Sequence, residues 1–134
     1  MVPSLCHRQT AAEGMVLEVL ALAPAHAEAH RLLALIYRDR NDRAAQLAEQ
    51  RRFVAERRDD PAAWHGLAKL LLDDRTPEAL AAALRAASTA ESLTNGKDAT
   101  ILEVRASAHD ALGESVSAQL CRERAAALTP VGAK

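Results

Sequence analysis

Of the five histidines, His7, His26, His30, His65 and His109, only His26 and His30 stand four residues apart, the spacing that sets two imidazoles on one helix face. With a third donor such as Glu28, such a pair can hold a transition metal, because neutral imidazole and carboxylate are both ligands for one. The competing use of these residues is structural and stronger: His26 falls at a helix start, and His30 falls where a large packing side chain belongs. No metal and no other cofactor is therefore expected. Cys6 is adjacent to His7, but neighbouring side chains seldom face one another, and a reactive thiol needs a partner that lowers its pKa. Cys121 falls on the last helical segment. With no glycine-rich phosphate loop, GxSxG elbow, HExxH pair or CxxCH haem attachment in the chain, no catalytic residue is assigned and an enzyme is not the expected reading.

The elements that carry these residues are helices. The chain has 134 residues, 49% hydrophobic and only 2% aromatic, and its apolar share is mostly Ala and Leu, the strongest helix formers. No stretch alternates apolar and polar residues long enough for a half-buried strand. Seventeen basic against eighteen acidic residues give a formal charge of −1. Such a balance argues against nucleic acid as a partner, which demands concentrated Lys and Arg. The one basic cluster, Arg51, Arg52, Arg57 and Arg58, runs directly into Asp59 and Asp60 and reads as a solvated face. No run reaches the roughly 18 consecutive apolar residues of a membrane-spanning helix, and residues 1–10 do not form a signal peptide. Two cysteines at opposite ends favour a reducing compartment, so a cytoplasmic location is expected, a piece of a larger or exported protein being the alternative.

Breakers and caps divide the chain into seven helical segments: 9–22, 26–40, 43–58, 61–72, 77–93, 98–112 and 115–128. Pro24, Asn41-Asp42, Asp60-Pro61, Thr76-Pro77, Asn95-Gly96, Gly113 and Pro130 supply the punctuation. Residues 1–8 are read as a flexible N-terminal tail, 9–130 as one helical repeat domain and 131–134 as a C-terminal tail. Short connections make consecutive helices antiparallel neighbours.

The second and fourth segments repeat one another. His30-x2-Leu33-Ala34-x2-Tyr37 returns as Trp64-x2-Leu67-Ala68-x2-Leu71, each position displaced by 34 residues. In the helices that follow, Ala44, Ala45 and Ala48 return as Glu78, Ala79 and Ala82. A third unit places Leu102, Ala106, Gly113, Ala118, Ala125 and Pro130 at matching spacing, with Arg105 and His109 where apolar residues belong. The loop around 94–97 lengthens this step to 38 residues. A 34-residue helix-turn-helix unit of this kind resembles the tetratricopeptide repeat (TPR). Residues 11–130 cover about three and a half repeats, the first segment, with Ala12, Val16, Val19 and Pro24, standing as a lone second helix. Other helical-hairpin repeats and an irregular bundle are the alternative folds.

The resemblance implies an all-α solenoid of about seven antiparallel helices in a right-handed superhelix. It also implies that the first helices of successive repeats line a concave groove for a partner polypeptide. Carried onto this chain, that groove comprises Arg31, Leu35 and Arg38, then His65, Lys69 and Leu72, then Glu103, Ser107 and Asp110. Two basic groups and one acidic group would orient a peptide with an acidic segment. The family's Lys/Asn/Arg clamp for a terminal carboxylate is only half matched: Arg31 and Lys69 fit, whereas Leu32, Leu35 and Gly66 stand where asparagines are expected. The expected function is a scaffold or adaptor that binds a protein or peptide. The alternative is a structural module that forms homo-dimers through its terminal helices, with Val116, Leu120, Cys121 and Leu128 as the adhesive face.

Overall fold

The computed structural model describes residues 4–128, with side chains from residue 11 onward. Every regular element among them is an α-helix: α1 (Ser4–Leu22), α2 (Ala27–Asp39), α3 (Arg43–Glu56), α4 (Pro61–Asp74), α5 (Pro77–Leu93), α6 (Ala99–Ala111) and α7 (Ser115–Leu128). The segments expected over 77–93 and 115–128 are reproduced residue for residue. The main departure is α1, which starts at Ser4 and not at Gln9, so part of the stretch expected as a tail is helical. The Cys6 and His7 side chains, Pro130 and the expected tail 131–134 lie outside the described positions.

Five helix starts, those of α2 to α6, have a local chemical cause, because the first backbone N–H groups of a helix need an acceptor from outside it. Asp42, Asp60, Thr76 and Asp98 accept from Ala45, Ala62, Ala79 and Thr100 at 3.2, 3.0, 3.2 and 2.9 Å. His26 does the same for α2 through Nδ1, 3.1 Å from the Ala29 nitrogen. Helix ends turn through left-handed backbone at Asn41, Arg75, Asn95, Gly96 and Gly113.

The chain divides into two compact units, 1–57 and 58–134. In the first, α2 packs on α3 as a hairpin and α1 packs on α2. Its interior holds Leu33, Ala34, Phe53 and Val54, together with a buried polar pair. His30 and Glu49, 7% and 8% exposed, meet with Nδ1 2.7 Å from Oε1. The other ring nitrogen, Nε2, donates to the Pro24 carbonyl at 2.9 Å, which pins the α1–α2 turn to the hairpin. Both ring nitrogens of His30 are thus committed to packing, while His26 spends Nδ1 on a cap. Tyr37 and Arg40 of the same hairpin reach back to Glu13 on α1.

In the second unit, α4 with α5 and α6 with α7 form hairpins, and α6 packs on both α5 and α4. Small residues make these approaches possible: Ala63, Ala68, Ala83, Ala90, Ala106, Ala108 and Ala118 are fully buried. Ala68 and Leu67 on α4 lie at the helix contacts the 34-residue period assigns them, as do Leu102 and Ala106 on α6. Trp64 is half-buried, and its indole N–H donates to the Arg58 carbonyl at 2.8 Å, fixing the turn that leads into α4.

Candidate functional site

The nine positions expected to line a groove fall into three stripes, each at i, i+4 and i+7 of one helix, and each stripe therefore occupies a single face of its own helix. On α2, Arg31 and Leu35 are half-buried and Arg38 is exposed. Arg31 is tied to Glu28 one turn earlier, through its Nε at 2.9 Å and a second, shorter contact from Nη2. That bond is the chief reason the Glu28 carboxyl sits below, and the Arg31 guanidinium above, their ordinary pKa values. Arg38 lies 3.4 Å from the adjacent Asp39.

On α4, Lys69 is exposed, and His65 and Leu72 are half-buried. Lys69 enters no ion pair among the described residues. His65 has a buried Nε2 with no hydrogen-bond partner. Its pKa lies below the ordinary value of 6.5, chiefly through burial and secondly through the Lys69 charge, with Asp98 at the head of α6 pulling the other way. His65 is therefore neutral at neutral pH.

On α6, Glu103, Ser107 and Asp110 are all exposed. Asp110 pairs with Arg122 on α7, and this bond raises the arginine's pKa. Of the five charged positions among the nine, Arg31, Arg38 and Asp110 are thus already in contact with an opposite charge, which the sequence reading did not foresee. Lys69 and Glu103 enter no ion pair among the described residues, although the Glu103 charge acts on Arg122 and helps to raise its pKa. They stand on α4 and α6, two helices that pack together.

A cluster that sequence reasoning missed joins α5, α6 and α7. Glu91 on α5 receives Arg105 of α6 on one carboxylate oxygen and Arg124 of α7, at 2.6 Å, on the other. Burial works to raise the Glu91 carboxyl, but the hydrogen bonds from Arg124 and Arg105 and their charges outweigh it, leaving its pKa below the ordinary value. The one signal in the sequence was Arg105, an arginine at a position whose period calls for an apolar residue.

The terminal helices expose apolar side chains. Val116, Leu120 and Leu128 of α7 are 74%, 56% and 39% exposed, and Met15 and Leu22 of α1 are 69% and 89% exposed. Cys121 does not belong to the α7 set as expected: it is 4% exposed and packs inward with Ala106 and Ala118. Among the described residues no helix is long and apolar enough to cross a membrane, and no three His, Cys, Asp or Glu side chains gather as metal ligands.

No family model and no curated protein matches the chain. Solved structures do. One described as "MamA MSR-1 C2" superposes with a TM-score of 0.73 at 13% identity, over 91% of this chain and 68% of its own. Another, "Crystal structure of MamA", gives a TM-score of 0.73 at 21% identity, over 89% and 67%. At these identities the likeness is one of fold: the chain has the all-α, TPR-like helical-repeat fold of MamA.

Proposed function

We propose that this TPR-like chain is a non-catalytic scaffold that binds a partner polypeptide through the outward stripes of its first helices. The observation that carries the reading is the pair of exposed charges on packed helices, Lys69 on α4 and Glu103 on α6, neither held in an ion pair among the described residues, with the half-buried His65 and Leu72 flanking Lys69. A helix that merely solvates its surface gains from pairing its charges with neighbours at i+3 or i+4, as Arg31 does with Glu28. Asp73 stands at i+4 from Lys69 and Arg122 lies within electrostatic reach of Glu103, yet neither Lys69 nor Glu103 enters an ion pair among the described residues, so an extended peptide carrying an acidic residue and a basic residue can engage both. Leu72 offers it apolar contact between the charges. In the first unit, considered by itself, Arg31, Leu35 and Arg38 form a separate stripe whose cations contact Glu28 and Asp39.

Exposed ion pairs are worth about 0.2–1 kcal/mol each and are screened by salt, so binding of a single peptide is expected to be weak and salt-sensitive. The test is a titration, at low salt, of a partner recovered from native lysate against the parent and an Arg31→Ala, Lys69→Ala double variant. A several-fold loss of affinity supports the groove. Equal affinity with an intact helical spectrum places the binding surface elsewhere.

A second reading rests on the exposed apolar residues of α7 and α1. Single exposed apolar residues are ordinary, but Val116 and Leu120 form a continuous step on one helix face, and contiguous apolar surface marks association sites. In this reading copies of the chain pair through their terminal helices. Sedimentation over a wide concentration range decides it, because a persistent monomer excludes the pairing.

A further inference from the structure

The cleft beside Glu91 carries more than a structural tie. It is an open hollow of about 550 Å³, lined by Ser88, Glu91, Ser92 and Asn95 from α5 and the turn after it, Gly96, and the two arginines Arg105 and Arg124. Ser88, Glu91, Ser92 and Asn95 follow one another at i, i+3, i+4 and i+7. The first three draw a polar stripe along a helix whose other faces are largely alanine, and Asn95 follows in the left-handed turn beyond its end. We infer that this cleft, in which Arg105 and Arg124 flank Glu91 beside the hydroxyls of Ser88 and Ser92, is a binding site for a phosphoryl group.

Three observations go beyond what holding helices together requires. The first is charge. Two arginines against one glutamate leave one positive charge in excess, and each guanidinium contributes only one of its five N–H donors to Glu91. Arg105 Nε is buried and has no partner in the protein, and Arg124 keeps half of its side chain exposed at the mouth of the cleft.

The second is donor number. The Ser88 and Ser92 hydroxyls and the Asn95 amide make no side-chain hydrogen bond among the described residues, and they line the same cleft as the arginines. Two guanidinium forks, two hydroxyls and an amide exceed what the two oxygens of one carboxylate can accept. They suit a phosphoryl group, with three or four strongly accepting oxygens and more than one negative charge.

The third is the glycine. Gly96 has φ +69°, and a β-carbon there would stand 2.9 Å from Arg124 Nη2 and 3.7 Å from Glu91 Oε2. Gly96, at a positive φ that favours glycine, thus brings the loop backbone against the end of the Arg124 side chain. It sits in the 94–97 stretch that lengthens the repeat beyond 34 residues, so the departure from the period and the cleft coincide.

The probe is inorganic phosphate, titrated at low and constant ionic strength into the isotope-labelled full chain, with the Gly96 amide and the Arg105 and Arg124 Nε–Hε signals followed by NMR. Saturable shifts confined to these groups are expected. They should weaken about ten-fold in Arg124→Gln, the loss typical of one charge-assisted hydrogen bond. Ser92→Ala, at an exposed position that leaves the ion pairs intact, should weaken them by a smaller factor and keeps the test valid if Arg124→Gln unfolds. Shifts that never saturate, or that persist unchanged in both variants, overturn the site. An equal response to acetate overturns the phosphoryl assignment. O-phosphoserine against serine separates the sources: binding of phosphoserine identifies a phosphorylated side chain as an accepted ligand, and saturation by inorganic phosphate alone restricts the cleft to the free ion.

Discussion

His30 and Glu49 hold the two helices of the first hairpin together from inside, 2.7 Å apart and both buried, while the far side of the imidazole grips the Pro24 carbonyl. The geometry turns a position that the repeat gives to a large packing side chain into a three-way connection among α2, α3 and the turn from α1. Breaking a buried pair by removing one partner costs far more than the pair contributes, because the survivor is left without its bond. Glu49→Ala is expected to destabilise the chain by about 2 to 4 kcal/mol. A double His30→Leu, Glu49→Leu variant should recover most of that loss. Urea unfolding followed by circular dichroism measures both, and a double variant no better than the single one would deny the pair its role.

Ala68 is fully buried on α4 at the small position of the repeat, where helix backbones come close. Ala68→Leu forces side chains off their preferred rotamers and should cost about 1 to 3 kcal/mol. A thermal midpoint equal to or above the parent's would move the contact away from this residue.

Glu91 links stability to acid. A carboxyl whose folded pKa is depressed contributes stability that is present above its unfolded value, 4.5, and is lost as pH falls through the lower folded value. Glu91→Gln should therefore melt earlier than the parent at neutral pH, and the gap should close as pH falls below 4.5. A gap that stays constant with pH would mean that charge on Glu91 is not what holds Arg105 and Arg124.

His65 gives a second pH signature, in a different window. Its folded pKa is depressed by burial and by Lys69, so the stability of the neutral imidazole is complete above the unfolded value of 6.5 and falls away below it. Parent and His65→Gln should diverge in this sense: the parent loses stability relative to the variant as pH drops from 6.5 toward the folded value. Parallel curves would remove burial of His65 as a factor.

Self-association has its own test on α7. If copies pair through the exposed step of Val116 and Leu120, 74% and 56% exposed, a Leu120→Lys variant should be monomeric at concentrations where the parent sediments as a dimer. A monomeric parent would end the comparison against the pairing.

The helices were legible because breakers and caps act locally. Asp42, Asp60, Thr76 and Asp98 announce helix starts within three residues of the N–H groups they bond, and Gly96 and Gly113 announce stops. The early start of α1 was missed because nothing between Ser4 and Gln9 breaks a helix, and a proline just before a helix, such as Pro3, is no obstacle to starting it. The buried faces at Leu33, Ala34, Leu67 and Ala68 followed from the period. The charges did not. Whether Arg31, Asp110 or Lys69 is free depends on which side chain stands one turn or one helix away, and Arg122 and Glu28 answered that differently for each. The Glu91 cluster joins residues 14 and 33 positions apart, a distance over which composition and spacing carry no pairing information.

The buried interior of the second unit is built largely from a side chain with a single carbon. Such an interior responds to change in one direction only. Trimming Ala83, Ala90 or Ala106 to glycine removes one methyl group and costs mainly helix propensity, about 1 kcal/mol. Enlarging any of them pushes two backbones apart, and neighbours on the same helix must follow. A saturation scan should therefore show a size ceiling running along α4, α5 and α6, with glycine and serine tolerated and every longer side chain penalised. The limits on sequence drift in this unit would be set by steric bulk and only weakly by hydrophobicity.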